Sequence, residues 1–255
     1  MHKLETRSLT MRFGTETIIR DISIAVDRGE LVSLLGVSGS GKTTLFNCIS
    51  GIYKPVSGSV ILDGEDITGT TGHISYMLQK DLLLPYKTIE DNVALPLIIR
   101  GASKSEARKQ ASAHFGEFGL EGTQKKYPKQ LSGGMRQRAA LLRTYLFSDN
   151  VALLDEPFSA LDTITKGRIH RWYLDVMEKI NLTTVFITHD INEAILLSDR
   201  IYIMTGKPGE IQTEIKVRTP RSQRQDYDLT DEFMEYKRQI MALLDEREMK
   251  GNIER

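Results

Sequence analysis

The sequence feature that most constrains the fold of this chain is a glycine-rich loop between a short apolar run and a helix-forming segment. The apolar run at residues 31–35 predicts a buried strand, and residues 45–49 have the pattern of a helix body. The loop matches the phosphate-binding pattern G-x-x-x-x-G-K-[ST] in the strand–loop–helix context that the motif requires. Its residues are Gly36, Val37, Ser38, Gly39, Ser40, Gly41, Lys42, Thr43 and Thr44.

The chemistry of this loop is phosphate binding. Glycines allow the backbone to curl so that successive N–H groups point at a polyphosphate. The helix that follows contributes about half a positive charge at its N-terminus. Lys42 is expected to reach the β- and γ-phosphates, and the Thr43 hydroxyl to hold Mg²⁺. We therefore expect the chain to bind a nucleoside triphosphate.

Composition excludes several other classes of protein. Lys and Arg total 34, as do Asp and Glu, so no basic field points to nucleic acid. The single cysteine, Cys48, lies in an apolar helix body and is expected to be a core residue in a reducing compartment. There is no signal-peptide pattern, and no apolar window approaches the ~18 residues of a membrane span. We expect a soluble, cytoplasmic protein that works at a membrane only through a partner.

Apolar spacing predicts alternating strands and helices. The first thirty residues have the period of half-buried antiparallel strands. Further strand-length apolar runs lie at residues 58–64, 73–78, 151–154, 183–187 and 200–204. Helical spacing predicts two helices between residues 88 and 118, the second with a capping box at 103–106, and a C-terminal helix within residues 227–248. This order predicts a parallel α/β sheet with a helical insertion at residues 88–134.

Two adjacent acids follow the predicted strand at residues 151–154. The carboxyl ends of strands are where open α/β sheets carry their chemistry. Asp155 is expected to hold Mg²⁺ through water, and Glu156 to polarise an attacking water molecule. Adjacent acids at a strand exit are also common on solvated surfaces, so their significance depends on the phosphate loop.

A short motif before these acids identifies the family. Leu131, Ser132, Gly133, Gly134 and Met135 form a serine-glycine-glycine helix start, which is a second potential anion site. At this point the chain resembles the ATP-binding subunits of ATP-binding-cassette (ABC) transporters. Met135 stands where the family most often has Gln, and this departure leaves the partner surfaces in doubt rather than the activity.

The resemblance covers residues 4 to about 218 and assigns roles to further positions. Phe13 resembles the aromatic residue that stacks on adenine, although a core Phe is the alternative. Gln79 resembles the glutamine that meets Mg²⁺ and the attacking water, and His189 the switch histidine that contacts the γ-phosphate. A further segment resembles the family's loop that crosses between the two subunits of the dimer, and it consists of Ser159, Ala160, Leu161 and Asp162.

The resemblance also implies a fold. We expect a RecA-like P-loop NTPase core with an antiparallel β subdomain and an α-helical signature subdomain, the ABC ATPase fold. Residues 1–87 and 135–218 would form the nucleotide-binding core with its N-terminal β subdomain. Residues 88–134 would form the helical subdomain, and residues 219–255 a C-terminal helical tail that packs on the core or on a neighbour.

The implied activity is ATP hydrolysis coupled to solute transport, with ATP and Mg²⁺ as cofactors. The expected partners are a second ATP-binding subunit, in a head-to-tail homodimer, transmembrane permease subunits and, indirectly, a solute-binding protein, with no nucleic acid. This places the protein at the cytoplasmic face of the membrane. Residues 79–97 and 206–210 resemble the importer group that serves nitrate, sulfonates, taurine and pyrimidine vitamin precursors.

Two other function classes fit less of the sequence. A non-transport ABC ATPase of DNA repair would carry a long coiled coil, and one of translation would carry two cassettes; neither is present. A different P-loop enzyme, such as a small-molecule kinase or a GTPase, leaves residues 131–134 and His189 without a role, and no guanine-reading motif is present.

Overall fold

The computed structural model describes residues 1–147, 150–159, 163–224 and 226–253. Contacts divide the chain into unit 1, Met1–Ile74 with Thr183–Arg255, and unit 2, Ser75–Leu182. Among the described residues, no helix has the length and hydropathy needed to cross a membrane. The elements in chain order are β1 (Leu4–Phe13), β2 (Glu16–Val26), β3 (Leu31–Leu35), α1 (Lys42–Ile49), β4 (Ser57–Leu62), β5 (Glu65–Asp66), β6 (Ser75–Met77), α2 (Ile89–Val93), α3 (Leu95–Ile99), α4 (Lys104–Ala113), α5 (Gly133–Phe147), β7 (Val151–Asp155), α6 (Thr163–Ile180), β8 (Thr183–Thr188), α7 (Ile191–Leu197), β9 (Arg200–Thr205), β10 (Glu210–Lys216) and α8 (Asp231–Ile253), with short 3-10 turns at Pro128–Gln130, Arg221–Gln223 and Tyr227–Leu229.

The N-terminal part of unit 1 is an antiparallel sheet with the strand order β2-β1-β4-β5. β1 pairs with β2 from Leu4↔Val26 to Phe13↔Glu16 and with β4 from Leu4↔Leu62 to Thr10↔Ser57. Ile22, Ile24 and Val26 on β2 are buried while alternate residues between them are more exposed, because one face of the sheet lies on the core. The antiparallel strands predicted for the first thirty residues are confirmed.

A second set of strands in unit 1 has the order β10-β9-β3-β8. β3 runs parallel to both β8 and β9, and every residue of these three strands is buried. Burial on both faces explains their uninterrupted apolar runs. Leu35, the last residue of β3, is paired with Thr188, the last residue of β8. The loops that begin at Gly36 and His189 therefore leave from adjacent strand ends.

In unit 2, a pair of parallel strands brings two further segments together. β6 runs parallel to β7, with Ser75 opposite Ala152 and Met77 opposite Leu154. The segments that carry Gln79 and Glu156 consequently leave from the same end of this strand pair. β6 is shorter than the predicted run at residues 73–78, since residues 73 and 74 form a bend after Gly72, which has a φ of 96°.

Residues 88–113 form three helices where two were predicted. α2 starts at the N-cap Thr88, whose side chain accepts a hydrogen bond from the Asp91 N–H. Pro96 lies in the first turn of α3, and because it has no N–H it cannot continue the hydrogen-bond ladder of α2. Gly101, with a φ of 97°, follows α3, and Ser103 caps α4 by accepting from the Glu106 N–H as predicted.

The C-terminal part of unit 1 packs on the parallel strands. Apolar residues of α8 join a buried cluster with residues of α7, β9 and β10: Ala194, Ile195, Ile201, Ile203, Ile215, Val217, Tyr227, Phe233, Tyr236 and Ile240, together with Leu35. The predicted C-terminal helix is present, although α8 begins at Asp231 after a 3-10 turn. In the structure, it packs on its own chain.

Candidate active site

Close backbone packing fixes the path of the phosphate loop. A Cβ atom added to Gly36 would overlap the carbonyl oxygen of Met204, and one added to Gly41 would lie 2.6 Å from the Cγ2 atom of Ile19. Gly41 also has a φ of 91°, in the left-handed region that favours glycine. These two glycines are therefore required for the loop to curl between β3 and α1.

Lys42 and the start of α1 lie at the centre of this curl. The Lys42 side chain is 7% exposed, and its Nζ donates to the carbonyl oxygens of Gly36 at 2.9 Å and Val37 at 2.8 Å. In the part of the chain that the structure describes, no side chain caps the N-terminus of α1. Ser40 Oγ is buried with no hydrogen-bond partner among the described residues. A buried ammonium group, an uncapped helix start and an orphaned hydroxyl fit a polyphosphate ligand.

Phe13 lies at the end of β1 and is not a core residue. Its side chain is 47% exposed, and its ring meets that of Tyr53 edge-on, with centroids 5.4 Å apart. Exposure of a large aromatic ring in this position removes the core alternative. Stacking on adenine stays a prediction.

His189 is exposed, while the residues on either side of it are fixed. The hydroxyl of Thr188, which is buried, donates to Glu193 Oε2 at 2.7 Å and accepts from the Asp190 N–H at 3.0 Å. The Asp190 side chain in turn caps α7 by accepting from the N–H groups of Asn192 and Glu193. The backbone on both sides of His189 is thus tied to α7.

In unit 2, Gln79 and Glu156 are in direct contact. Gln79 Nε2 donates to Glu156 Oε2 at 2.9 Å. Glu156 has a φ of 46°, a conformation that costs a non-glycine residue about 1–3 kcal/mol and that is concentrated at functional sites. The preceding Asp155 ends β7 and is 7% exposed. The structure therefore holds two of the predicted catalytic side chains together.

The predicted signature motif forms the start of α5. Ser132 Oγ accepts from the Met135 N–H at 3.3 Å, which caps the helix that begins at Gly133. Leu131 is buried, Ser132 is exposed, and Gly134 is partly exposed. The predicted helix start is present, and its role towards a partner's nucleotide stays a prediction.

The predicted dimer loop is described at its first residue only. Ser159 N and Oγ both donate to the carbonyl oxygen of Glu156, at 3.2 and 3.0 Å. This turn connects the predicted dimer loop to Glu156. Ala160, Leu161 and Asp162 lie outside the described residues.

Two arginines of α5 belong to this site and were missed from the sequence. Arg143 donates through Nη1 to the carbonyl oxygen of Leu82 at 2.9 Å and through Nη2 to that of Asp81 at 2.6 Å. Arg136 Nε donates to Asp81 Oδ2 at 3.1 Å. The two arginines are seven residues apart, which places them on one face of a helix, and this spacing was the available signal. They hold the loop that follows Gln79 against the signature helix.

Metal ligands do not form a ready-made cluster. Among the described residues, no group of three or more His, Cys, Asp or Glu side chains could hold a metal ion. Mg²⁺ in nucleotide sites usually takes one or two protein ligands together with phosphates and water. The oxygen atoms of Thr43, Gln79 and Asp155 have the chemistry that Mg²⁺ prefers, and their role as its ligands stays a prediction.

The chain matches the family model described as ABC transporter over residues 19–159. It is 44% identical to the formylaminopyrimidine import ATP-binding protein ThiZ of Halalkalibacterium halodurans, over 93% of this chain and 94% of that one. It is 35% identical to the nitrate import ATP-binding protein NrtD of Synechocystis, over 92% and 91%. It is also 38% identical to the aliphatic sulfonates import ATP-binding protein SsuB of Bacillus cereus, over 89% and 88%.

Solved structures show the same fold. The dimeric post-hydrolysis state of the ATP-binding cassette MJ0796 bound to ADP and Pi has a TM-score of 0.71 at 33% identity, over 85% of this chain and 100% of that one. CbiO1 from Clostridium perfringens, part of the transporter complex cbiONQ, has a TM-score of 0.77 at 24% identity, over 85% and 89%. The predicted ABC ATPase fold and the predicted family are confirmed. The chain belongs to the ABC transporter family, and it is one of the family's ATP-binding, ATP-hydrolysing subunits.

Proposed function

We propose that this chain powers the import of a small solute and that it belongs to the importer group for nitrate, sulfonates and taurine. The same group also serves pyrimidine vitamin precursors. The observation that carries the proposal is similarity to import ATP-binding proteins along nine-tenths or more of both chains, for relatives named for formylaminopyrimidine and for nitrate. A non-transport ABC ATPase is the less supported alternative, because these relatives are named for import.

In this proposal the phosphate loop binds the triphosphate of ATP. The loop N–H groups and the start of α1 receive the phosphate oxygens, and Lys42 exchanges its bonds to two loop carbonyls for the β- and γ-phosphates. The exposed ring of Phe13 stacks on adenine. Thr43, Gln79 and Asp155 would hold Mg²⁺, which when bound supplies positive charge to the phosphate oxygens.

Hydrolysis requires a base that receives a proton from the attacking water. Glu156 is the group we assign to this role, because its carboxylate already accepts one hydrogen bond from Gln79 and has further lone pairs for water. The water oxygen attacks the γ-phosphorus atom, and the bond from that atom to the bridging oxygen of ADP breaks. His189 donates a hydrogen bond to the γ-phosphate and stabilises the charge that develops there.

The active assembly is proposed to contain two cassettes. Residues 131–135 of one subunit would contact the ATP that is bound to the phosphate loop of the other, and the loop from Ser159 would cross between them. A two-fold pair creates two equivalent sites at once. Permease subunits would hold this pair at the cytoplasmic face of the membrane, and a solute-binding protein would deliver the solute.

Reconstitution of the full complex tests the proposal. The chain is purified with its permease subunits and solute-binding protein, and the retained solute is identified by mass spectrometry. We expect a small anion or a pyrimidine, and we expect that solute to stimulate ATP hydrolysis in proteoliposomes. The matched control is the same complex with Lys42→Ala. A complex that assembles but hydrolyses ATP with no response to nitrate, sulfonates, taurine or a formylaminopyrimidine contradicts this assignment.

A further inference from the structure

An arginine in the C-terminal segment of unit 1 is buried, and the acceptors of its hydrogen bonds are backbone carbonyls. Arg224 is 4% exposed, and burial lowers the pKa of its guanidinium group below the ordinary value. Among the described residues, no Asp or Glu lies within ion-pair distance of Arg224. A buried guanidinium is costly to keep unless its donors are satisfied, so its hydrogen-bond partners indicate what it is for.

Three of the four carbonyl oxygens that accept hydrogen bonds from Arg224 lie at the end of α7. Nη1 donates to the carbonyl oxygens of Ile195 and Leu196, both at 3.1 Å, and of Ser198 at 2.7 Å. Nε donates to the carbonyl oxygen of Thr219 at 2.8 Å. The last carbonyls of a helix have no partners within the helix, and a cation there also complements the helix dipole. Arg224 is therefore a C-terminal cap for α7, supplied from a distant part of the chain.

The predicted switch histidine, His189, lies just before the N-terminal end of α7, opposite to the end that Arg224 caps. Asp190 caps this end, and Glu193, which is 3% exposed, accepts the hydroxyl hydrogen of Thr188. His189 lies between Thr188 and Asp190. A helix of seven residues has little stability of its own, so its position depends on what holds its two ends.

The segment that delivers Arg224 is itself firmly attached. Tyr236 on α8 donates from its hydroxyl to the carbonyl oxygen of Lys216 and accepts from the Arg218 N–H, both at 3.1 Å. The guanidinium carbon of Arg224 lies 5.7 Å from the ring centroid of Tyr227, and that ring packs edge-on against Phe233. Arg224 is thus held in place by α8 while it holds α7.

We propose that Arg224 is a positioning residue for ATP hydrolysis, which acts through α7 to hold His189 in its productive place. The C-terminal segment thereby controls the rate of the chemical step without contacting the nucleotide. The inference rests on the proposed role of His189. Removal of the cap is expected to lower kcat and to leave the KM for ATP nearly unchanged, because the phosphate loop keeps its own contacts.

The test uses steady-state ATP hydrolysis by the purified full chain, expressed per nucleotide-binding site. Arg224→Met keeps the length of the side chain but removes all its donors, and we expect a fall in kcat of about tenfold. Arg224→Lys keeps the charge and should recover part of that loss. If the Met variant does not fold, the Lys variant tests the proposal instead, because it should still have a lower kcat than the unsubstituted chain at an unchanged KM. Arg221→Met is the matched control, because Arg221 pairs with Asp199 and the carbonyl oxygen of Gly29 instead of α7.

A double mutant separates this inference from the proposed function. His189→Ala alone should lower kcat at least about 100-fold, and Arg224→Met should cause no further loss in that background. Equal fractional losses in both backgrounds, or equal kcat losses for Arg221→Met and Arg224→Met, would overturn the positioning role. A His189→Ala protein with the kcat of the unsubstituted chain would instead refute the proposed role of His189.

Discussion

The side-chain amide of Gln79 donates a 2.9 Å hydrogen bond to the carboxylate of Glu156, 77 positions along the chain. The parallel pairing of β6 with β7 brings the two residues together, since each follows the carboxyl end of its strand. The hydrogen bond from Gln79 therefore helps to orient the Glu156 carboxylate. A conformational change that moves the loop after Gln79 would act directly on Glu156, the proposed catalytic base.

We expect Lys42→Ala to abolish ATP binding while the chain stays folded. Lys42 is the full positive charge of the phosphate loop, and its ammonium group is already directed at the loop interior. Isothermal titration calorimetry measures the binding, and circular dichroism the fold. Lys54→Ala removes an equal charge from an exposed position after α1 and should bind ATP normally. Normal affinity in a folded Lys42→Ala protein would refute the assignment of this loop.

Gly209→Ala is expected to distort the phosphate loop, although Gly209 itself lies outside that loop. Gly209 pairs with β2 through Ile18 and Arg20, and an added Cβ would overlap the carbonyl oxygen of Ser40. The added Cβ atom and the Ser40 carbonyl oxygen are both attached directly to backbone, so no side chain can move aside. The loop must therefore shift, at a cost of about 1–3 kcal/mol. We expect a lower melting temperature together with weaker ATP affinity.

The matched control for Gly209→Ala is Gly167→Ala in α6, where an added Cβ meets no atom of the described residues within 4 Å. That change should stabilise the helix by up to about 1 kcal/mol. If Gly209→Ala lowered the melting temperature but left ATP affinity intact, the loop would not depend on this contact.

The strands and their order along the chain could largely be predicted because buried parallel strands require continuous apolar runs. β10 was missed, although Ile211, Thr213 and Ile215 alternate as in an edge strand. The pairing of β10 with β9 depends on a turn at residues 206–209 that the apolar pattern does not reveal. The break between α2 and α3 was also missed, because a proline in a first helical turn is compatible with either one kinked helix or two.

We expect the loop at residues 80–87 to dock on a cytoplasmic helix of a permease subunit. Arg143 holds the backbone of Leu82, whose side chain is 52% exposed, whereas Leu83 is 7% exposed. A simpler alternative is that Leu82, Leu83 and Leu84 all pack on the helices of residues 88–118, and it fails for Leu82 because that side chain is exposed. A cysteine at position 82 should cross-link to the permease in the assembled complex. Cysteines at buried position 83 and at exposed position 52 are the controls, and equal cross-linking from position 52 would contradict specific docking.

The native thiol of Cys48 should not interfere with such experiments. It is fully buried in α1, and burial raises its pKa from 9.0 to about 12. The neutral thiol is thus favoured by folding, and this contribution to stability is complete below pH 9 and is lost as the pH rises towards 12. Thiol reagents at pH 8 should label the chain only after denaturation. Rapid labelling of the native chain would show that α1 opens.

The positions of the site residues could be predicted only where a motif spans a strand end. The phosphate loop, Glu156 and His189 each begin within two residues of the end of a predicted strand, so the motifs and the strand order indicate the same edge of the sheet. Arg143 and Arg224 could not be assigned in this way, because they act on backbone carbonyls that are distant in sequence. Arg136 could not be assigned either, because its carboxylate partner Asp81 is 55 positions away. Carbonyl acceptors are present at every residue, so the sequence around them holds no pattern.

We expect Glu156→Gln to bind MgATP but to hydrolyse it about 10²–10⁴-fold more slowly. Glutamine is nearly isosteric with glutamate, and its carbonyl oxygen can still accept the hydrogen bond from Gln79. The loop should therefore keep its conformation while the proton acceptor is lost. The protein should accumulate as an ATP-bound dimer, which size-exclusion chromatography with MgATP detects beside a phosphate-release assay.

Asp155→Asn is the comparison that separates the roles of the two acids. Loss of charge at the buried strand end should weaken MgATP binding as well as turnover, because Asp155 is assigned to the metal. If Glu156 were instead a structural acid, Glu156→Gln would lower the melting temperature and leave turnover per folded molecule intact. A Glu156→Gln protein that hydrolyses ATP at the rate of the unsubstituted chain would mean that another group is the base, and that the contact with Gln79 only shapes the loop.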